Sequence, residues 1–470
     1  MSRADPPPDH ARLHEALSRE YEAHAPKCAA VQERALRVLI DGGSHTMRLD
    51  GPFPLRVARA RGAYVWDEDG HRIVDFWQGH VANVLGHNPP CVTEALAAGF
   101  AAGNGLLHGF TDRLQVEVAE ILCRQTGAER VRFTTSGSLA TMYAILLARA
   151  FTGRRGVMKI GGGWHGAQPW GLKGVAFAGE GDAGFSGVET LGLPEAFTDE
   201  VIVTRFNDPE MLESQFRDAG DRLACFIVEP FVGAGGYIPA DPAYLRLARA
   251  LTERYGALLI HDEVISGFRF HPGDTGALYD VKPDLATFGK VIGGGMPLAA
   301  VAGRADVMAQ AGKAEGCRVK FSGGTYAAHP ASLLAAKTAL TYLIGHTDTI
   351  YPRLSELGAR VRRIARGAFT DAGIPALCTG GGNEVVPESP LSMLVFPRRN
   401  GLVLDSPDVI MNPDLVDVPL AGDILRLGLL LEDVHVCHGL GAVTTAHTDE
   451  DLARFDEACR TVAQRIKTDR

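Results

Sequence analysis

The sequence predicts an α/β fold, with a mostly parallel sheet covered by helices and a smaller α+β part after it. The first observation is that short apolar runs alternate with helical segments from about residue 114 onward. Continuous apolar strands separated by helices indicate a parallel sheet that is buried on both faces. The second observation is that polar residues follow several of these runs. Folds of this class bind ligands at that edge of the sheet.

The N-terminal part is predicted to form one helix and a β-hairpin. Apolar residues recur at three-to-four spacing between His10 and Leu39, and Gly42 and Gly43 end the helix. The turn sequence DEDG at 67–70 lies between runs rich in β-branched and aromatic residues, which is typical of hairpin strands. The predicted strands are 56–60, 62–66 and 73–77.

The later elements follow from the same patterns. Helices are predicted where apolar residues recur with helical spacing, and strands where short apolar runs are bounded by turns. The predicted strands are 130–133, 156–160, 225–228, 257–260 and 285–288. The predicted helices are 138–151, 242–255, 331–344, 352–372 and 449–466. Two segments, 380–390 and 405–419, are predicted to be loops.

Composition narrows the class of protein. The chain has 470 residues, 46% hydrophobic and 22% charged, which suits a globular protein with one large and one smaller domain. A formal net charge of -9 argues against a nucleic-acid partner. No apolar run is long enough to cross a bilayer, and residues 1–8 read as a short disordered lead rather than a secretory signal. We therefore expect no membrane partner, a cytoplasmic location and eight reduced cysteines.

Lys290 carries the strongest chemical signal. It lies in the segment 283–297 (PDLATFGKVIGGGMP), directly after a predicted strand and shortly before three glycines. Most lysines are solvated surface residues, but this apolar context does not suit a solvated face. Burial would lower the pKa of the amine and make it nucleophilic. The glycines are predicted to let the backbone approach a ligand closely.

Asp262 supplies a matching acid in the segment 258–264 (LLIHDEV). The ordinary alternative is a helix cap or a turn residue, but an acid directly after an apolar strand is buried and needs a partner. An amine and a buried carboxylate at the ends of neighbouring strands are what a pyridoxal phosphate enzyme requires. The amine holds the cofactor aldehyde as a Schiff base, and the acid keeps the ring nitrogen protonated.

Other residues fit the same cofactor. The segment 134–138 (TTSGS) precedes a helix and predicts a phosphate site, although the same residues are ordinary helix caps. The turn 323–325 (GGT) is a second candidate. Trp164 either stacks on the cofactor ring or packs in the core. Alternation along the extended segment predicts that Val264 presses on one face of the cofactor ring.

No metal is expected, because the group His435, Cys437 and His438 has no second pair of ligands nearby in the sequence.

These motifs resemble the class III pyridoxal phosphate-dependent aminotransferases of fold type I, and most closely the glutamate-1-semialdehyde aminomutase-like subgroup. The resemblance extends from about residue 40 to residue 466 and is most specific in 259–269 and 283–297. It implies a large domain with a mostly parallel seven-stranded sheet and a smaller α+β domain. The implied boundaries are an N-terminal segment (1–75) that packs with the small domain, a large cofactor-binding domain (76–330) and a C-terminal small domain (331–470).

The resemblance also implies roles for individual residues. Lys290 and Asp262 are the expected catalytic residues, and the substrate is expected near Arg48, Trp77 and His80. A homodimer with shared active sites is expected, because Thr325 matches a position that contacts the cofactor phosphate across the dimer interface. The expected cofactor-binding residues are Ser136, Gly137, Ser138, Trp164, Glu229, Asp262, Val264, Lys290 and Thr325.

The chain departs from the family pattern where the substrate is expected. A Gly-Ser-Trp-Gly-Pro-like stretch of the aminomutases is here Gln78-Gly79-His80-Val81-Ala82. We therefore predict an aminotransferase that moves an amino group from a small-molecule donor to a keto acid or aldehyde. The alternatives are an aminomutase that transfers the amino group within one molecule, and a relative that binds the cofactor without turnover.

Overall fold

The computed structural model describes residues 10–181, 183–314 and 316–469. The predicted lead at residues 1–8 lies outside them. Within the described residues the strands are β1 (Val57–Arg61), β2 (Tyr64–Asp67), β3 (Arg72–Asp75), β4 (Arg130–Thr134), β5 (Gly156–Ile160), β6 (Val201–Thr204), β7 (Leu223–Val228), β8 (Phe231–Val232), β9 (Ile238–Pro239), β10 (Leu258–Glu263), β11 (Leu285–Phe288), β12 (Ala299–Gly303), β13 (Leu377–Thr379), β14 (Leu391–Val395), β15 (Val434–His435) and β16 (Gly441–Ala442).

The central sheet has seven strands in the order β4-β12-β11-β10-β7-β5-β6. Strands β11, β10, β7, β5 and β6 run parallel to one another, and β12 is antiparallel to both of its neighbours, β11 and β4. Every residue of β7 and β10 is buried, as expected for strands covered on both faces. The predicted mostly parallel seven-stranded sheet is confirmed.

Helices cover the sheet and build the second region. The longer ones are Ala11–His24, Pro26–Ala35, Pro90–Ala101, Arg113–Thr126, Gly137–Thr152, Pro209–Ala219, Pro242–Tyr255, Pro330–Gly345, Thr347–Asp371, Leu425–Leu431 and Asp449–Asp469. Ser136 begins the helix Gly137–Thr152 as its N-cap, and Gly153 ends it in a left-handed conformation. The predicted helix 242–255 is confirmed residue for residue.

A second core joins the N-terminal segment to the C-terminal part. Its sheet has the order β1-β2-β3-β15, and the parallel pairing of β15 with β3 brings Val434 beside Val74. The helices Ala11–His24, Thr347–Asp371 and Asp449–Asp469 contribute apolar residues to this same core. The domain boundaries at 75 and 330 stay a prediction.

Three local predictions are wrong. The single helix predicted for 10–39 is broken at Ala25, because Pro26 starts a new helix. The helix predicted to start at Pro352 begins at Thr347, with the proline inside it, since buried neighbours such as Tyr351 anchor its first turns. The predicted loop 405–419 contains a short helix, Pro407–Ile410. No helix among the described residues is long and apolar enough to span a bilayer.

Candidate active site

The predicted catalytic residues meet at the carboxyl ends of the central strands. Asp262 lies in β10 opposite Thr287 of β11, and Lys290 follows β11 by two residues. Both side chains line one cavity of about 270 Å³. The residues lining it are His45, Arg48, His80, Thr135, Ser136, Gly137, Ser138, Thr141, Trp164, His165, Gly166, Glu229, Asp262, Val264, Ile265, Lys290, Met296, Pro297 and Leu298. All the predicted site residues except Trp77 and Thr325 are therefore brought together.

Lys290 presents an amine into this cavity. Desolvation by the surrounding walls lowers the pKa of the Lys290 amine to about 8, although the negative charge of Asp262 opposes that shift. The residue has a φ of 47°, in the left-handed region that non-glycine residues rarely adopt. Within the described residues the amine forms no ion pair, so it is available to react.

The glycines after Lys290 do not face the cavity as a group. Gly294 is left-handed, and a Cβ built on it would lie 2.7 Å from the carbonyl oxygen of Ala335. This glycine lets the loop pack against the helix Pro330–Gly345. The prediction that the glycines serve close approach to a ligand is therefore wrong for Gly294, because helix packing needs that space.

Asp262 is buried and held by three donors. Oδ2 accepts a hydrogen bond from Nδ1 of His165 at 2.8 Å, while Oδ1 accepts from Oγ1 of Thr287 at 2.9 Å and from the N–H of Val264 at 3.1 Å. A carboxylate only accepts hydrogen bonds, so the proton lies on Nδ1 of His165. Burial keeps the pKa of His165 below its usual range, which leaves the imidazole neutral. The carboxylate is thus fixed at the floor of the cavity.

Glu229 holds the loop that carries Trp164. Its Oε1 accepts from the N–H of Trp164 at 3.2 Å, and its Oε2 accepts from the N–H of Gly233 at 2.9 Å. Burial, helped by the charge of Asp262, raises the pKa of Glu229 to about 8. Glu229 thus fixes the loop that leads into Trp164 at the wall of the cavity.

A second buried lysine supports the same loop. Nζ of Lys159 donates to the carbonyl oxygens of Gly163, Gly171 and Lys173 at 3.0, 3.2 and 2.8 Å. Burial lowers the pKa of its amine to about 7. Because these three carbonyls accept hydrogen bonds from its Nζ, Lys159 ties the loop to β5, and it is not among the residues that line the cavity.

The predicted phosphate site faces the cavity from the start of the helix Gly137–Thr152. Oγ of Ser136 caps that helix by accepting from the N–H of Leu139 at 3.3 Å. A Cβ built on Gly137 would lie 3.0 Å from a methyl carbon of Val264, so the glycine allows Val264 to approach. N–H groups at the start of a 16-residue helix suit an anion. The amine, the acid and this anion site together fit pyridoxal phosphate.

The other side of the cavity carries the predicted substrate residues. Arg48 and His80 line it, together with His45, and Arg48 has no ion pair among the described residues. Trp77 lies behind His80, with the ring centroids 4.5 Å apart. Thr325 is exposed outside the lining of this chain's own cavity, so its predicted contact with the phosphate of a second copy stays a prediction.

Sequence reasoning missed His165 and Thr287. Both lie in or beside motifs that were singled out, but their contacts with Asp262 depend on strand register and loop path. The signal for Thr287 was that it and Asp262 are polar residues on two strands predicted to pair.

The three residues considered as metal ligands, His435, Cys437 and His438, each contact a different group. Nδ1 of His435 contacts Asp75, and the Cys437 thiol faces the carbonyl of Met47. The ring of His438 meets that of Tyr237 edge to face.

Comparison with known proteins gives consistent matches over most of the chain. The family described as aminotransferase class-III matches residues 46–363. A glutamate-1-semialdehyde 2,1-aminomutase from Laribacter hongkongensis (strain HLHK9) is 37% identical over 358 residues, which are 74% of this chain and 81% of the relative.

Solved structures agree with this match. An omega-transaminase from Sphaerobacter thermophilus is 30% identical with a TM-score of 0.83, and the match covers 93% of this chain and 97% of that one. A beta-phenylalanine aminotransferase from Variovorax paradoxus is 28% identical with a TM-score of 0.81, and the match covers 96% and 97% of the two chains.

Proposed function

The chain belongs to the class III aminotransferases and catalyses amino transfer with pyridoxal phosphate, and we propose that Lys290 and Asp262 are the residues that hold and activate this cofactor. The observation that carries the proposal is the shared cavity, in which an amine with a lowered pKa lies in the same space as a buried, three-fold hydrogen-bonded carboxylate. When bound, the cofactor supplies the electron sink for the reaction.

Each part of the cofactor is assigned to particular side chains of this chain. Nζ of Lys290 would hold the cofactor aldehyde and, once released, would take and return the proton at the reacting carbon. Asp262, fixed by His165 and Thr287, would keep the ring nitrogen protonated. The hydroxyl and N–H groups of 136–138 would bind the phosphate, and Trp164 and Val264 line the part of the cavity that would take the ring.

We propose an intermolecular aminotransferase rather than an aminomutase. The relatives include proteins of both names, so the family match does not separate the two. The replaced turn at 78–82 favours two separate substrates. A polar pocket built for one molecule binds that molecule poorly once the side chains that contact it are replaced. Arg48 supports a carboxylate on at least one substrate, since its guanidinium lines the cavity without an ion pair to any described residue and suits bidentate binding.

We also propose that two copies of the chain form a homodimer with shared active sites. Large apolar side chains lie exposed in the segments that flank the site: Ile40 is 85% exposed, Met47 lies beside Arg48, and Tyr326 next to Thr325 is 62% exposed. A second copy would cover such side chains. Sedimentation of the holoprotein tests this, with a monomer at micromolar concentration as the contrary result.

A panel of amino donors tests the proposed reaction. Purified protein with pyridoxal phosphate is mixed with single amines, and loss of the visible band of the bound cofactor reports the first half-reaction. We expect some amines to remove the band and a keto acid to restore it. Rearrangement of glutamate-1-semialdehyde without a second substrate would instead establish the aminomutase. Binding of cofactor with no response to any amine would establish the inert relative.

A further inference from the structure

The turn that replaces the family stretch is built from four consecutive residues with positive φ. Gln78, Gly79, His80 and Val81 have φ values of 48°, 64°, 63° and 55°. Three of them are not glycine, and Val81 is β-branched, for which this conformation is an outlier. Such conformations persist only where the surroundings over-determine them, and they concentrate at functional sites.

Asp75 is the group that fixes the start of this turn. Its Oδ1 accepts from the N–H of Trp77 at 2.9 Å and from Nδ1 of His435 at 2.8 Å. Its Oδ2 accepts from the N–H of Gln78 at 2.8 Å and from Nε2 of His87 at 2.7 Å. One buried carboxylate thus joins β3, the turn, the segment after it and β15.

Further bonds hold the two ends of the turn. The amide nitrogen Nε2 of Gln78 donates back to the carbonyl of Asp75 at 2.8 Å. At the other end, the buried guanidinium of Arg269 donates to the carbonyls of Val81 and Ile265. The turn is therefore fixed at both ends, which sets the direction of the Cα–Cβ bond of His80 between them.

His80 is the side chain that the turn delivers to the cavity. Its imidazole lies between the rings of Trp77, at 4.5 Å, and His45, at 5.0 Å between centroids. It lines the cavity with Arg48 and Lys290. Burial, and then the charge of Lys290, lowers the pKa of His80 to about 3, so the ring is neutral and offers one donor and one acceptor nitrogen.

We propose that His80 is a specificity-determining contact to the substrate and that Asp75 is the positioning residue that holds it there through the left-handed turn. This inference rests on the proposed function, since it assigns the substrate side of the same site. Asp75 does not line the cavity; it acts through the backbone of Trp77 and Gln78.

Two measurements on Asp75→Asn and His80→Ala test the proposal. The first is amide hydrogen exchange of the apoprotein. We expect Asp75→Asn to speed exchange of the Trp77 and Gln78 amides by about tenfold or more, because their acceptor is weakened. Asp69→Asn is the matched control, since that carboxylate also accepts two backbone N–H groups, those of Lys27 and Cys28, away from the cavity.

The second measurement is steady-state kinetics with the best donor from the amine panel. We expect His80→Ala and Asp75→Asn each to lower kcat/KM by about tenfold, mainly through KM, with cofactor affinity unchanged. Because Asp75 acts through His80, adding Asp75→Asn to His80→Ala is expected to change kcat/KM by less than about threefold. His87→Phe, which deletes one of the four donors to Asp75, is a milder variant with the same expected direction should Asp75→Asn not fold.

Several results would overturn the proposal. Multiplicative losses in the double variant would mean that Asp75 acts independently of His80. An unchanged KM in His80→Ala would remove its contact with the substrate, and unchanged amide exchange in Asp75→Asn would remove the positioning role. Absence of a bound-cofactor band in the wild-type protein would instead count against the proposed function, while the exchange experiment on the apoprotein would still be decisive for the turn.

Discussion

The pH dependence of aldehyde addition to Lys290 follows directly from the geometry of the cavity. Only the neutral amine adds to an aldehyde. With its pKa lowered from 10.5 to about 8, about one-tenth of the Lys290 amine is neutral at pH 7. An unperturbed lysine would be neutral in only about 0.04% of molecules at that pH, which makes Lys290 roughly 250-fold more available.

Stopped-flow mixing of apoprotein with pyridoxal phosphate between pH 6 and 10 measures this availability. The neutral fraction rises as pH passes the folded-state pKa, so we expect the rate of bound-cofactor formation to increase about tenfold from pH 7 to pH 9, with a midpoint of about 8. Nα-acetyl-lysine under the same conditions is the control, because its rate divided by its own neutral fraction gives the pH dependence of the cofactor aldehyde alone.

A matched variant separates the causes of the shift. The charge of Asp262 raises the pKa of the Lys290 amine against the effect of burial, so Asp262→Asn is expected to move the midpoint to lower pH. A midpoint near 10.5 in the wild-type protein would mean that the cavity does not lower the pKa of Lys290, and the same profile in a Lys290→Arg variant would mean that another amine reacts.

Three further predictions concern the acid, the substrate side and the fold. Asp262→Asn is expected to slow amino transfer by about 100-fold or more in single-turnover measurements, since the carboxylate that keeps the ring nitrogen protonated is lost; a rate near wild type would contradict this role. Arg48→Gln is expected to raise KM about tenfold or more for a carboxylate substrate but not for an uncharged amine of the same skeleton, and equal changes for both would argue against the ion pair. Gly294→Ala is expected to lower the free energy of unfolding by about 1–3 kcal/mol more than Gly127→Ala. A Cβ at Gly294 would lie 2.7 Å from the carbonyl oxygen of Ala335, whereas one at Gly127 would meet no described residue within 4 Å. Equal denaturation midpoints of these two glycine variants would contradict that account.

The central sheet could be predicted because its strands carry their own signal. Continuous apolar runs such as β7 and β10 are buried on both faces, and this burial leaves a pattern in the sequence. The break before Pro26 was missed because apolar spacing continues across it, while the proline sets the boundary of the helix. Local patterns therefore gave the type of element more reliably than its ends.

The centre of the site could be predicted, but its supporting contacts could not. Asp262 lies near the end of the buried strand β10 and Lys290 directly follows β11, and parallel pairing brings these two strand ends together. The contact of His165 with Asp262 spans 97 residues, and that of His435 with Asp75 spans 360. Such contacts depend on the register of paired strands and on the path of loops, which residue spacing along one chain does not encode.

Reduction of the holoprotein with borohydride, followed by peptide mapping, identifies the lysine that holds the cofactor. We expect one reduced pyridoxyl group, located on Nζ of Lys290. Lys159 is the sharpest internal comparison, because burial also lowers the pKa of its amine, to about 7, but its Nζ is bound to three carbonyl oxygens. An adduct on Lys159 or any other lysine, or no adduct at all, would contradict the assignment of Lys290 as the residue that holds the cofactor.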